Sequence, residues 1–264
     1  MNILEKIVEQ KKKEVAERKS LYPAKLLEQS IFFASPTVSL KKYVQRKDLS
    51  GIIAEIKRKS PSKGAINPYV SIERTSIGYM QAGASALSIL TDKEFFGGSN
   101  EDLMVARKFN YCPILRKDFT IDEYQIIEAK SIGADAILLI AAILDTQQQK
   151  LLASFAHSLG LEVLLEVHTQ EELNPELFSE VDLIGVNNRD LKTFEVSIDI
   201  SKRLSKLISK GVVKISESGI SSPETIEELR GVGFDGFLMG ETFMKHSRPE
   251  IAAREFIGKL KIRK

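Results

Sequence analysis

The first fifty residues carry the hydrophobic spacing of an amphipathic helix. The apolar positions, three or four residues apart for the most part, are Ile3, Leu4, Ile7, Val8 and Val15. This spacing places them along one face of an α-helix, and Asn2 is a suitable N-cap for it. A second, shorter helix is predicted around residues 40–45. We therefore expect residues 1–48 to form a helical extension ahead of the main domain.

From Ile52 onward, short runs rich in Ile, Val and Leu alternate with longer stretches of helical period. Eight runs are predicted as strands: residues 52–57, 85–90, 113–115, 135–140, 162–166, 182–186, 212–215 and 236–239. They begin about 26 residues apart on average. That spacing is typical of repeated strand–loop–helix units, so a helix is expected between each pair of strands.

Eight parallel units favour a closed (β/α)8 barrel over an open doubly wound sheet, and no Gly-x-Gly-x-x-Gly follows the first strand to indicate a dinucleotide site. The expected fold is α/β: a (β/α)8 TIM barrel over residues 49–264, with the N-terminal helical extension. Functional residues in such a barrel lie at the C-terminal ends of the strands.

The charge balance narrows the range of partners. The 264 residues include 38 Lys and Arg against 36 Asp and Glu, a net charge of +2. This balance indicates neither nucleic acid nor a membrane as a partner. The basic run at residues 11–13 would suit a membrane- or RNA-binding helix. Four glutamates interleave with it, however, so we interpret the run as part of a solvated helix face: Glu5, Glu9, Glu14 and Glu17.

Cysteine usage and apolar run lengths point to a cytoplasmic protein. Cys112 is the single cysteine, which excludes an intramolecular disulfide, and no Cys/His cluster has metal-site spacing. The longest apolar run, residues 136–144, is far short of the ~18 that span a bilayer. Glu5 and Lys6 interrupt any signal-peptide core. We expect no cofactor and no metal.

Charged residues recur at the ends of four alternate predicted strands: Lys57, Lys117, Glu166 and Glu217. Because alternate strands contribute to one layer of a barrel, these side chains are expected to form a convergent ring. Glu55 lies two residues before Lys57 and therefore on the same face of the extended chain. A lysine beside a glutamate suits a general acid, and an enclosed glutamate suits a general base.

A phosphate site is predicted at the loops after the last two strands. Ser218 and Gly219 follow the seventh strand, and Gly240 and Glu241 follow the eighth. Phosphate often binds at this pair of loops in barrels, where glycine allows close approach of backbone N–H groups. The carboxylate of Glu241 would repel phosphate, so the contact is assigned to its backbone and the side chain is expected to turn away.

At these residues the chain resembles the indole-3-glycerol phosphate synthase family. The similarity extends from about residue 52 to 245, and its clearest motifs are Ile-Ala-Glu-Ile-Lys-Arg-Lys-Ser-Pro-Ser, Leu-Arg-Lys-Asp-Phe, Gly-Val-Asn-Asn-Arg-Asp-Leu and Ser-Glu-Ser-Gly-Ile. The resemblance implies a small phosphorylated substrate that closes to an indole with loss of carbon dioxide and water. It also implies that the helical extension lies near the mouth of the site.

The resemblance implies roles for individual residues. Lys117 is the general acid for ring closure and Glu166 the base or dehydration partner, while Glu55 and Asn187 orient the reacting groups. Lys57 would hold the substrate carboxylate or assist proton transfer. The remaining binding residues implied are Ser60, Phe119, Arg189 and Glu217. The family often has Gly-Ser where this chain has Gly240-Glu241, so a hydroxyl contact to phosphate is not carried over.

Two other functions stay open at this point. Phosphoribosylanthranilate isomerase is another phosphate-binding barrel, but its Cys/Asp pair does not match the Glu-x-Lys strand here. A degenerate, partner-binding barrel would have lost its mouth residues, which are present. A monomer or weak homodimer is expected. Four residues outside the motifs are given no role, Cys112 as inert and the histidines as surface residues: Cys112, His157, His168 and His246.

Overall fold

Eight parallel strands close into a barrel in the computed structural model, which describes residues 3–191 and 193–261. In chain order the strands are β1 (Ile52–Ile56), β2 (Ala86–Leu90), β3 (Ile114–Lys117), β4 (Ala136–Ile140), β5 (Glu162–Val167), β6 (Leu183–Asn187), β7 (Val213–Glu217) and β8 (Gly236–Met239). Each strand pairs with its neighbours in sequence, and β8 pairs with β1 to close the barrel. The predicted closed (β/α)8 barrel is confirmed, with shifts of one or two residues at strand ends.

Helices cover the outside of the barrel and precede it. They are α1 (Ile3–Leu21), α2 (Ala24–Leu27), α3 (Leu40–Gln45), α4 (Ile72–Gln81), α5 (Asn100–Phe109), α6 (Glu123–Ser131), α7 (Thr146–Ser158), α8 (Asp199–Leu204), α9 (Pro223–Gly231), α10 (Glu241–Met244) and α11 (Pro249–Ile257). None of these described helices combines the length and apolar character needed to cross a bilayer.

The connection between β5 and β6 departs from the predicted alternation. It contains only a short 3₁₀ helix, Pro175–Leu177, where an α-helix is expected from the repeat. The connection spans only residues 168–182, the shortest between consecutive strands, which leaves little chain for a longer helix. The prediction of a helix in every connection is therefore wrong at this one.

The helical extension reaches both ends of the barrel. Ile7 of α1 belongs to the buried cluster that fills the barrel interior and also lines the mouth at the C-terminal ends of the strands. Val44 of α3 belongs to the same cluster, but it packs beside Gly236, the first residue of β8, at the opposite end. Residues 3–45 thus close the bottom of the barrel and form part of the wall of its mouth. Asn2, the predicted cap of α1, lies outside the described residues.

One side chain on the buried face of α1 is charged. The buried residues of this helix are Ile7, Lys11 and Val15, spaced four apart. The interpretation of residues 11–13 as a solvated run is wrong for Lys11, whose exposure is 1%. Lys11 is accommodated because three carboxylates contact its ammonium group, whereas its neighbour Lys12 remains exposed.

Candidate active site

Three members of the predicted ring meet at the centre of the barrel mouth. Lys117 ends β3, and its Nζ lies 2.8 Å from Glu166 Oε2 on β5 and 3.7 Å from Glu217 Oε2 on β7. All three side chains line the mouth although little of each is exposed. The arrangement places one ammonium group against two carboxyl groups in a largely dehydrated setting.

The fourth position of this ring is held by Glu55 rather than Lys57. Glu55 lies within β1 and is buried, and its charge acts on both Lys117 and Glu217. Lys57 follows the last residue of β1, so its side chain lies nearer to solvent, and its Nζ binds Glu55 Oε1 at 2.8 Å. The predicted ring is corrected accordingly, because Lys57 joins it through Glu55.

The Lys117–Glu166 pair is held in its charged form. Burial disfavours the ammonium group of Lys117, but the carboxylates of Glu166, Glu217 and Glu55 outweigh that cost and raise its pKa. Burial likewise opposes ionisation of Glu166, yet Lys117 and His168 hold its pKa well below the usual value. A proton donor and an ionised acceptor therefore lie in direct contact.

Glu217 differs from Glu166 in its protonation. Burial and the neighbouring charge of Glu166 raise the pKa of Glu217 to about 8, although Lys117 partly opposes the shift. Two carboxylates beside one ammonium group cannot both be ionised cheaply, so the proton stays on Glu217 at neutral pH. The mouth thus combines an ionised glutamate and a protonated one, which are suited to different steps of proton transfer.

Residues at and just after the end of β6 contact Glu166 and connect two loops at the mouth. Asn187 donates from Nδ2 to Glu166 Oε1 at 3.1 Å, and its Oδ1 accepts the backbone N–H of Arg189 at 3.1 Å. Arg189 then reaches Phe194 O at 3.2 Å and Glu241 Oε2 at 3.4 Å. Arg189 therefore connects the loop after β6 with the loop after β8.

One side of the mouth is apolar and aromatic. The rings of Phe96 and Phe119 lie 5.9 Å apart between centroids, and Ile3, Leu4 and Ile7 of α1 line the same mouth. The expectation that the extension lies near the site is confirmed. Ser60 also lines the mouth, with its Oγ 3.4 Å from that of Ser62. A planar aromatic group fits against such a wall.

The loops after β7 and β8 have the backbone features of an anion site. Ser218 has a φ of 67° and Gly219 a φ of 74°, a conformation that a serine adopts only when its surroundings impose it. Asn188 donates to Ser218 O at 3.1 Å and Thr242 donates to Ile220 O at 2.7 Å, which fixes the loop after β7. In the loop after β8, a Cβ on Gly240 would lie 2.6 Å from Glu55 Oε1.

The Glu241 side chain was expected to turn away from the mouth, but it stays there. It lines the opening, with Oε2 3.4 Å from Arg189 and Oε1 3.4 Å from Lys63 Nζ. These two cations attract the carboxylate and compensate its charge, which is the physical reason that it stays. The backbone of residues 240–241 nevertheless remains beside the Ser218–Gly219 loop at the mouth.

The residues that were given no role divide into two groups. His157 and His246 are exposed, as predicted, and Cys112 is buried with its thiol pKa raised to about 12 by burial, as expected of an inert cysteine. The prediction for His168 is wrong, because its exposure is 7% and its ring lies between Glu166 and Glu172. No group of three or more metal-ligating side chains occurs among residues 3–191 and 193–261.

A buried ion-pair network links α1 to the residues on either side of Lys117. Lys11 binds Asp118, and Arg18 binds Glu128, which in turn accepts from Arg116 at 2.6 Å. Arg116 Nη2 also lies 3.3 Å from Asp118 Oδ2. The sequence alone gave no role to these residues. Their only signal is that Arg116 and Asp118 flank Lys117 in the Leu-Arg-Lys-Asp-Phe motif.

Together, the barrel and the Lys–Glu pair at its C-terminal mouth are typical of (β/α)8-barrel enzymes, whose active sites lie at this end. The model of the family described as "Indole-3-glycerol phosphate synthase" matches residues 4–256. The chain belongs to the indole-3-glycerol phosphate synthase family, whose members are decarboxylating lyases of tryptophan biosynthesis.

Curated relatives agree over nearly their full length. An indole-3-glycerol phosphate synthase of Bacteroides thetaiotaomicron is 48% identical over 256 residues, covering 97% of this chain and 98% of the relative. The enzyme of the same name from Acinetobacter baylyi is 42% identical over 257 residues, covering 97% and 96%. The similarity therefore includes the helical extension as well as the barrel.

Solved structures share the fold at low sequence identity. A thiamine phosphate pyrophosphorylase from Pyrococcus furiosus superposes with a TM-score of 0.58 at 14% identity, covering 84% of this chain and 98% of that chain. A mutant tryptophan synthase α-subunit from the same organism gives 0.59 at 15% identity, covering 82% and 98%. These likenesses support the barrel fold alone.

Proposed function

We propose that this chain converts 1-(2-carboxyphenylamino)-1-deoxyribulose 5-phosphate to indole-3-glycerol phosphate, with release of carbon dioxide and water. In this reaction the aromatic carbon that bears the carboxylate attacks the ketone. The new carbon–carbon bond closes the five-membered ring, the carboxylate leaves as carbon dioxide, and the resulting alcohol is lost as water. Family membership supports the reaction, and the contacts at the mouth support the roles that follow.

Lys117 is the proposed general acid for ring closure. Attack on the ketone places negative charge on its oxygen, and a nearby ammonium group stabilises and protonates that oxygen. Lys117 suits this role because it is charged, buried and aimed into the mouth. This contact between Lys117 and Glu166 is the single observation that carries the proposal, since it provides a donor and an acceptor in one place.

Glu166 is the proposed base for the dehydration steps, and Glu55 and Asn187 are proposed to orient the reacting groups. Asn187 contacts Glu166 directly, while Glu55 acts through its charge and its ion pair with Lys57. Lys57 lies at the outer part of the mouth, where an ammonium group would hold the substrate carboxylate. Glu217, protonated at neutral pH, is the proposed hydrogen-bond donor to substrate oxygens.

The two ends of the substrate are assigned to opposite parts of the mouth. Its phosphate would bind to the backbone of residues 218–219 and 240–241, where one residue is glycine in each loop and the group of Arg189, Lys63 and Glu241 carries one net positive charge. Its aromatic ring would pack against Phe119, beside Ser60 and the apolar residues of α1. This placement directs the ketone toward Lys117.

The function is tested by following indole formation directly. The chain has no Trp, so indole fluorescence on addition of substrate would rise against a background of 6 Tyr and 13 Phe. Mass spectrometry of the product should show the loss of carbon dioxide and water. No indole signal at saturating substrate would contradict the proposal, and an isomerised product of unchanged mass would favour an isomerase instead.

We further propose a cytoplasmic enzyme that is a monomer or a weak homodimer. The single buried cysteine and the balanced charge support the cytoplasmic location, because neither suggests an oxidising compartment or a charged polymer as partner. Sedimentation analysis over a hundredfold range of protein concentration tests the oligomeric state. A stable higher oligomer at all concentrations would contradict it.

A further inference from the structure

His168 is the least accessible of the three histidines, and its ring is held between two carboxylates. Its Nε2 lies 3.2 Å from Glu166 Oε1, and its Nδ1 lies 3.3 Å from Glu172 Oε2. Glu172 Oε2 also accepts the backbone N–H of His168 at 2.7 Å. The imidazole is therefore fixed from both sides, with one ring nitrogen turned to the proposed base.

His168 contacts Glu166 from outside the substrate space. Glu166 is among the described residues that line the mouth, but His168 is not. Because side chains two apart on a strand share a face, and His168 directly follows β5, it continues the face of the barrel that presents Glu166. His168 therefore reaches the site by its contact with Glu166 Oε1, and it is not itself among the described residues that line the mouth.

Three groups then surround the Glu166 carboxylate. Lys117 contacts Oε2, while Asn187 and His168 both approach Oε1. Of these, Asn187 is neutral. The titratable groups that face the carboxylate are Lys117 on β3, Glu217 on β7, which keeps its proton at neutral pH, and His168 itself.

The charge of His168 matters because of what the proposed reaction does to Lys117. When Lys117 gives a proton to the ketone oxygen, its ammonium becomes a neutral amine, and Glu166 loses that cationic partner. Burial lowers the pKa of His168, but the carboxylates of Glu166 and Glu172 on either side of its ring outweigh burial and raise it to about 9. His168 thus remains an imidazolium at neutral pH throughout the step.

We propose that His168 is a positioning residue for catalysis, which fixes the Glu166 carboxylate from behind and supplies the positive charge that Glu166 keeps after Lys117 has donated its proton. Glu172 contacts the other ring nitrogen, Nδ1, and so helps to fix the imidazole. The proposal rests on the assigned role of Glu166 as base, and it adds a residue that does not contact substrate.

The kinetic test is the pH dependence of turnover in His168→Gln. Glutamine keeps a hydrogen-bond donor but removes the charge, so the acid limb of kcat should move up by about one pH unit, because an opposite charge at this distance typically shifts a carboxyl pKa by that amount or more. Turnover on the acid side should then fall about tenfold, while KM changes less than about twofold. His157→Gln is the matched control, since it removes the exposed His157–Asp182 pair.

A direct readout comes from NMR titration of the ring protons, since the chain has only three histidines. His168 should titrate near 9 in the wild type, and its midpoint should fall in both Glu166→Gln and Glu172→Gln. These variants also serve if His168→Gln does not fold. The coupling between His168 and Glu166 is measured here without substrate, so it can be judged even if no indole product forms.

The outcomes separate the two proposals. The positioning role is overturned if folded His168→Gln has the same acid limb of kcat as the wild type. It is also overturned if the titration midpoint of His168 is unchanged in Glu166→Gln. Neither result would affect the proposed indole formation. A limb that moves equally in His157→Gln also overturns the positioning role. Absence of indole product in the wild type overturns the proposed function instead.

Discussion

Lys11 Nζ lies 2.9 Å from Asp118 Oδ1, so a helix outside the barrel holds the residue next to Lys117 by a buried ion pair. The same ammonium group lies 3.0 Å from Asp92, whose other oxygen accepts the backbone N–H groups of Phe95 and Phe96. One lysine of the extension therefore organises the loops after both β2 and β3.

Replacing this lysine should cost substantial stability. Lys11→Met leaves the buried carboxylates of Asp92 and Asp118 without their shared cation, and removing one partner of a buried pair costs about 3 kcal/mol or more. The free energy of unfolding from urea titration at pH 7 measures the loss. Lys12→Met is the control, because Lys12 is 64% exposed in its side chain and should be nearly neutral. Equal stability of the two variants would contradict the role of Lys11.

Removing the proposed general acid should lower turnover strongly and leave the fold intact. Lys117→Ala is expected to lower turnover at least ~100-fold, the usual scale for general acid–base catalysis, while circular dichroism stays that of the wild type. Lys150→Ala, which removes an exposed lysine paired with Glu176, should retain full activity. Near-normal turnover of Lys117→Ala would exclude this lysine as the acid.

Glu217 should make stability depend on pH in a defined direction. Its pKa rises from 4.5 to about 8 on folding, so its contribution to stability is complete below about pH 4.5 and is lost as pH rises to about 8. The side chain in Glu217→Gln stays neutral at every pH. The difference in unfolding free energy, variant minus wild type, should therefore rise by at least ~1 kcal/mol between pH 5 and 8. Glu255→Gln, at an exposed position, should track the wild type. A constant difference between Glu217→Gln and the wild type across this range would refute the raised pKa.

Gly240 should tolerate no side chain. Alanine at this position would press against Glu55, whose Oε1 lies 2.6 Å from the required Cβ, so Gly240→Ala should displace Glu55 and lower kcat/KM roughly tenfold or more. Gly231→Ala is the matched control within α9, where nothing lies within 4 Å, and it should leave activity unchanged. Equal kcat/KM values in the two variants would show that Glu55 moves aside without cost.

The barrel was predictable because its pattern is repeated eight times. Most strands are short apolar runs with polar residues at or just after their ends, and the ring of Lys117, Glu166 and Glu217 follows from their shared position at strand ends. The connection at Pro175–Leu177 was missed because a repeat predicts an average unit, while this connection is the shortest between consecutive strands.

The supporting charges were harder to predict. Lys11 sits in a run of three lysines, and its spacing of four residues from both Ile7 and Val15 places it on the apolar face of α1. Its carboxylate partners Asp92 and Asp118 are distant in sequence, so the pattern did not show what compensates a buried charge there. His168 did have a signal that was not used. It lies two residues after Glu166, and extended backbone brings such a pair to one face.

The path of the extension has a consequence for partial unfolding. Residues 3–45 contact the mouth through α1 and the opposite end through α3, and α1 uses few apolar side chains to do so. Detachment of α1 alone would strip Ile3, Leu4 and Ile7 from the substrate wall and release Asp118, while α3 still seals the barrel. Such an open form retains its strands and helices but not its catalytic mouth. Mild denaturant should therefore abolish enzyme activity at a lower concentration than the one that unfolds the barrel.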